Sequence, residues 1–258
     1  MRSLHLGHCI EKMRAKKINK IAQHSFFMIK AVLFDLDNTL IDFMKMKRSC
    51  SEAAIRAMIE SGLEIDEQKG IKKLFDMYEE YGMENQSIFD RFIKEVHGKL
   101  DYKMLARAIV AYRRVKAGHL MPYPNAVKTL IKLKERGLKL GIVSDAPVKQ
   151  AWLRLAELNL CDFFDVVIAK GPKTKMKPHA MPFKKALKAL NMKPEEILFV
   201  GDNPERDILG AKNLGMRTVL AKYGQVIYSP RVKADFEIND ISELLGIIDK
   251  LNSNERKK

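Results

Sequence analysis

Residues 29–42 read IKAVLFDLDNTLID. The stretch from Ile29 to Phe34 is short and mostly apolar, with no alternation, and it stops abruptly at Asp35, Asp37, Asn38 and Thr39. Such a run predicts a strand buried on both faces of a parallel sheet. Similar runs follow at Leu138 to Val143, Val166 to Ala169, Ile197 to Val200 and Arg217 to Leu220. Helix-period segments lie between them, at 125–136, 148–159, 180–190 and 204–214. Strands alternating with helices imply an α/β fold, a doubly wound, Rossmann-like parallel sheet.

Residues 42–121 break that rhythm. They contain no convincing strand and four amphipathic stretches, near 45–61, 66–82, 86–97 and 101–117, each followed closely by a glycine (Gly62, Gly82, Gly98, Gly118). This predicts a four-helix unit inserted after the first strand, with Pro122 and Pro124 ending it before the core resumes. The expected organisation is a basic extension over 1–27, a core over 28–41 and 122–258, and a helical insert over 42–121. Ile10, Met13, Ile18 and Ile21 have rough helical spacing within the extension. His5, His8 and Cys9 there lack a fourth ligand at zinc spacing.

Ligands of such sheets bind beyond the carboxyl ends of the strands. The residues expected there are Asp35, Asp37 and Thr39 after the first strand, Ser144 and Asp145 after the second, Lys177 after the third, and Asp202 and Asp207 after the fourth. Carboxylates gathered at one edge are costly unless something neutralises them. Magnesium, held by one or two carboxylates together with a substrate phosphate, would do so. One carboxylate can attack phosphorus and a second, two residues on, can move the protons. The Ser144 hydroxyl and Lys177 ammonium can hold phosphoryl oxygens.

Taken in order, VLFDLDNTLID (32–42), GIVSDAP (141–147), KMKPHAMPFKKAL (175–187) and ILFVGDNPERDILGAKNLGM (197–216) resemble the four motifs of the haloacid dehalogenase superfamily of hydrolases. The closest likeness is to its phosphatases with a helical cap between the first and second motifs. The resemblance implies a Mg2+-dependent phosphomonoester hydrolase that forms an aspartyl-phosphate on a small phosphorylated metabolite. It makes Asp35 the nucleophile and Asp37 the general acid/base. Asp35, Asp37 (through its carbonyl), Asp202 and Asp207 surround the metal, and Thr39, Ser144 and Lys177 bind phosphate. Asp42, Phe43, Arg113 and Arg114, with Tyr112, are candidates for substrate selection. Asn203 stands where the family often has serine, and His179–Ala180 replaces an acid–proline pair. Lys175 is an alternative to Lys177, but Pro178 favours the latter. Alternatives on the same core are a 2-haloacid dehalogenase, which usually lacks the second acid, and a sugar-phosphate mutase. A non-catalytic binder of anions or nucleic acid belongs to a different class.

Composition narrows these choices. The chain is 47% hydrophobic and 31% charged, which suits a folded core with a polar surface. No apolar run approaches the ~20 residues of a membrane span, and no secretory signal opens the chain. Three scattered cysteines argue for a reducing cytoplasm. The net charge of +15 includes eight lysines and no acid from Lys170 to Lys193, but no interleaved aromatics of the kind that stack on nucleic acid. His97 and His119 are expected at surface helix ends, and Trp152 in the core or in helix–helix packing. Because the core is expected to start at Ile29, a chain beginning at Met28 should fold and keep full phosphatase turnover. A folded truncation that fails to turn over p-nitrophenyl phosphate would place residues 1–27 in the working enzyme.

Overall fold

The computed structural model describes residues 28–253. The expectations for the N-terminal extension, including its helical spacing and His5, His8 and Cys9, lie outside them. The core is a six-stranded parallel sheet of β1 (Ala31–Phe34), β2 (Lys139–Pro147), β3 (Val166–Lys170), β4 (Ile197–Gly201), β5 (Arg217–Ala221) and β6 (Phe236–Ile238). Its spatial order is β3-β2-β1-β4-β5-β6. The run that decided the fold is central and wholly buried. Val32 and Phe34 face one cluster, with Leu140, Ile142, Leu198 and Val200. Ala31 and Leu33 face another, with Val143, Phe183, Ile197 and Phe199. Side chains of a strand alternate between its faces, so a strand covered on both has to be apolar throughout.

Helices α5 (Ala126–Glu135), α6 (Val148–Glu157) and α9 (Leu244–Ser253) cover the first face. Helices α7 (Ala180–Leu190) and α8 (Leu209–Lys212) cover the second. Three differences from the sequence reading have physical causes. The edge strand β6 was not expected, because its three residues include the exposed Glu237 and form no apolar run. The helix expected over 204–214 is instead a turn of π-helix at Pro204–Ile208 followed by the short α8. Trp152 is 42% exposed rather than packed in the core. His97 and His119 do end exposed helices.

Between β1 and α5 lie α1 (Phe43–Ile59), α2 (Glu67–Tyr81), α3 (Ile88–His97) and α4 (Tyr102–His119). Their inward faces share a separate apolar cluster that includes Ile55, Leu74, Tyr78, Phe92, Ile93 and Met104. Asp42, Asp66 and Asp101 cap the first, second and fourth of these helices by accepting from the backbone N–H groups of Lys45, Lys69 and Met104. The insert is tied to the core at its root. Ile41 bridges Pro122, Asp42 N–H donates to Met121 C=O (3.2 Å), and Tyr123 N–H donates to Leu40 C=O (2.9 Å).

The turn after β1 is fixed from several sides. Asn38 has φ +58° and donates its N–H to Ile41 C=O at 2.7 Å. Tyr223 donates its hydroxyl to Thr39 C=O at 2.7 Å. The next residue, Gly224, lies so close that a Cβ there would fall 1.6 Å from the Asn38 carbonyl oxygen. Gly224→Ala should therefore push the turn away, costing about 1–3 kcal/mol as overpacking does. Calorimetry should show the lost stability, and turnover should fall further than a matching loss of stability elsewhere produces. Unchanged melting and turnover would show that this contact does not hold the turn.

Candidate active site

The ends of β1, β2 and β4 bring the expected residues together. Asp35 extends β1 by donating its N–H to Val200 C=O at 2.9 Å, which fixes its backbone beside β4. Its buried carboxylate accepts from Lys177 Nζ through Oδ1 at 2.7 Å. The same Nζ lies 2.6 Å from Asp207 Oδ1. Lys177 is held from its backbone as well, since its N–H donates to Asp145 Oδ1 at 2.9 Å. Lys175 is exposed, whereas Lys177 is buried between these carboxylates.

Asp207 is wholly buried. Its Oδ2 accepts from Asn203 N–H at 3.0 Å. Asn203 in turn accepts on Oδ1 from the N–H groups of Glu205 and Arg206, starting the π-turn. That wide turn folds Asp207 back against Gly201, where a Cβ would fall 2.5 Å from the Asp207 side chain. Local irregularity of this kind often marks functional sites. Asp202 follows β4, and its Oδ1 faces Thr39 Oγ1 at 3.4 Å. Ser144 is buried, and its Oγ accepts from Ala146 N–H at 3.1 Å. Asp145 is no helix cap, because it binds the Lys177 N–H and faces Arg206 at 3.6 Å.

Asp35, Asp202 and Asp207 each offer an oxygen within 4.8 Å of the others. Burial, then repulsion from Asp35 and from Asp207, pushes the Asp202 carboxyl up to about 8. Burial also lifts Asp207 to about 6, against the opposing pull of Lys177. For Lys177, burial alone would lower the pKa, but Asp207 and Asp35 outweigh it and hold it above the ordinary lysine value. Three buried carboxylates against one ammonium are short of positive charge. Hard oxygen donors in such a cluster fit a divalent cation.

Asp37 points elsewhere. Its Oδ2 accepts from Arg154 Nη1 at 2.7 Å, while Oδ1 is buried with no hydrogen-bond partner. Burial is the main cause that lifts its carboxyl to about 7, with Arg154 opposing and Asp35 and Glu84 adding to the rise. Arg154 is a buried residue of α6 that also donates to Glu84, in the loop between α2 and α3, and stacks on Phe43 at 4.5 Å. Sequence reasoning missed both Arg154 and Glu84. Neither adjoins a motif, and an arginine on an amphipathic helix reads as a surface residue.

Arg154 also lines a cavity of about 350 Å³ between the insert and α6. Of the residues proposed for selection, Phe43, Tyr112 and Arg113 line it. Asp42 and Arg114 do not. Asp42 caps α1, and Arg114 lies by a different surface hollow with Glu60 and Arg107.

Comparison with known proteins agrees with this geometry. A family profile described as haloacid dehalogenase-like hydrolase matches residues 29–215. A glyceraldehyde 3-phosphate phosphatase of Pyrococcus abyssi is 39% identical over 89% of this chain and 98% of its own length. The pyrophosphatase PpaX of Bacillus thuringiensis is 31% identical over 87% and 98% respectively. A solved structure of a HAD phosphatase from Thermococcus onnurineus shares 28% identity and covers 85% of this chain and 98% of its own, with a TM-score of 0.63.

The raised carboxyls give a metal test that needs no activity. A carboxyl whose pKa is higher folded (about 8 for Asp202, about 6 for Asp207) than its ordinary 3.8 keeps its proton longer in the folded state. Its contribution therefore weakens as pH rises through that window, where a dication can replace the proton. Magnesium should raise the melting temperature over chelator strongly near pH 8 and much less near pH 5.5, by scanning fluorimetry. An equal rise at both pH values, or none, would argue against metal binding by these carboxylates.

Proposed function

The chain belongs to the haloacid dehalogenase-like hydrolases, and from this membership and its carboxylate cluster we propose that it is a magnesium phosphatase using Asp35 as nucleophile. That it hydrolyses phosphoric monoesters of a small metabolite follows from its relatives. The observation that carries the finer reading is the packing of Asp35, Asp202 and Asp207 around a shared centre, with Lys177 bridging Asp35 and Asp207.

In this reading Asp35, Asp202, Asp207 and the Asp37 carbonyl would hold Mg2+, which when bound would screen the carboxylates and polarise the phosphoryl oxygens. The Asp35 carboxylate attacks phosphorus as the bond to the leaving oxygen breaks. Asp37 gives its proton to that oxygen. With a pKa lifted to about 7 by burial it can do so near neutral pH and then accept a proton from the attacking water. That water displaces Asp35 from phosphorus and frees inorganic phosphate. Lys177 orients Asp35, and with Thr39 and Ser144 it lies where phosphoryl charge needs support. Arg154 positions Asp37 and leaves its Oδ1 without a protein partner. The helical insert acts as a cap, its Glu84 reaching Arg154. Two curated archaeal relatives are named glyceraldehyde 3-phosphate phosphatase, so a triose phosphate is the proposed substrate. The scattered thiols fit a cytoplasmic setting, and no helix among the described residues is long and apolar enough to cross a membrane.

Asp35→Asn should abolish both turnover and labelling by substrate phosphate. Asp37→Asn should slow poor alkoxide leaving groups by about 10²–10⁴-fold while sparing p-nitrophenyl phosphate in its first step, and its phosphoenzyme should persist longer. Rapid quench with labelled substrate reads both effects. Label retained in Asp35→Asn would move the nucleophile elsewhere.

A further inference from the structure

The carboxylate cluster has a second cation that the mechanism does not use. Arg206 belongs to the π-turn, one residue before Asp207, and its Nη1 stands 3.6 Å from Asp145 Oδ2. That separation is too long for a hydrogen bond, since N–H···O bonds span about 2.7–3.2 Å. Arg206 Nε and Asp145 Oδ2 are both buried without a hydrogen-bond partner. A guanidinium carries five N–H donors in a planar fork. Among the described residues none of those of Arg206 is hydrogen-bonded. The side chain is 41% exposed, so a ligand can reach it.

Electrostatics tie Arg206 to the site rather than to the outer surface. Burial alone would lower its pKa, but the fields of Asp35, Asp207, Asp145 and Asp202 outweigh it and hold it above the ordinary arginine value. In return, Lys177 and Arg206 are the residues whose charges oppose the rise of the Asp202 and Asp207 carboxyls. Lys177 has little left to give. Its ammonium has three N–H groups and already faces Asp35 Oδ1 at 2.7 Å and Asp207 Oδ1 at 2.6 Å. Lys177 and a bound dication together would carry one charge fewer than Asp35, Asp145, Asp202 and Asp207, and Arg206 supplies the missing one. Without it, an arriving phosphoryl dianion meets a site of its own sign.

Building on the phosphatase reading, we infer that Arg206 is a further phosphate-binding residue, whose unfilled N–H groups donate to a non-bridging oxygen of the phosphoryl group that is transferred. Asp145 faces one part of the guanidinium and holds it in place, and the planar fork suits a phosphate.

The test uses the full chain with magnesium, and inorganic phosphate, D-glyceraldehyde 3-phosphate and p-nitrophenyl phosphate as probes. Arg206→Met should weaken the binding of inorganic phosphate, by calorimetry, roughly 10–100-fold, as losing a charge-assisted hydrogen bond does. Its kcat/KM should fall by a similar factor on both esters, because they share the group that is transferred. Arg206→Lys should recover part of the loss. Asp145→Asn keeps an oxygen for the Lys177 N–H, and adding Arg206→Met to it should cost the same factor again.

Phosphate affinity that stays within about twofold of wild type in Arg206→Met overturns the inference. So does a loss confined to one ester, which would make Arg206 a contact of the leaving group. A loss that disappears in the Asp145→Asn background overturns it too, because Arg206 would then act only by supporting Asp145. If Arg206→Met does not fold, Arg206→Lys decides by the same phosphate titration: weaker binding supports the inference and unchanged binding overturns it. A wild type with no magnesium-dependent hydrolysis of p-nitrophenyl phosphate overturns the phosphatase reading beneath it, a result distinct from phosphate binding that ignores Arg206.

Discussion

Lys177 lies buried between Asp35 and Asp207, 2.7 Å from one carboxylate and 2.6 Å from the other, and much of the surrounding backbone is arranged to keep it there. A buried ammonium or carboxylate without a partner is strongly destabilising, so each group of the trio depends on the others. Asp145 fixes the lysine backbone, the π-turn folds Asp207 inward, and Gly201 leaves room for that carboxylate. The trio still carries more negative than positive charge once Asp202 is counted. A cluster left short of positive charge fits a divalent cation.

A second buried cation performs a similar task one layer out. Arg154 joins Asp37 of the core to Glu84 of the insert. The acid/base candidate is thus held by a helix outside the motifs and sensed by a loop of the inserted unit. The cavity lined by Lys47, Tyr112 and Arg113 begins beside this guanidinium. The insert is anchored at its root by backbone bonds between residues 40–42 and 121–123, so its position over the strand ends is set where the chain leaves and rejoins the sheet.

The core strands were legible because each is short, apolar and followed by polar residues at the edge where ligands bind. The first of them needed no structure to place Asp35 and Asp37 at that edge. Lys177 could be chosen over Lys175 from its proline neighbour alone. The edge strand β6 was not legible, since three residues with one exposed glutamate carry no pattern. Only its bond to the Lys177 N–H, across 32 residues of chain, ties Asp145 to the buried lysine.

The sequence by itself determined five of the six strands, the helical insert and the ordered carboxylates and lysine at the strand ends. Those features are written in local period and in residues fixed relative to strand ends. Only the tertiary structure decided which side chains outside the motifs gather beside Asp37 and the insert. Arg154, Glu84 and Lys47 lie on helices and a loop far apart in sequence, and nothing in their local pattern separates them from surface charges. Their burial depends on how the insert settles against α6, a long-range packing outcome that carries no local signal.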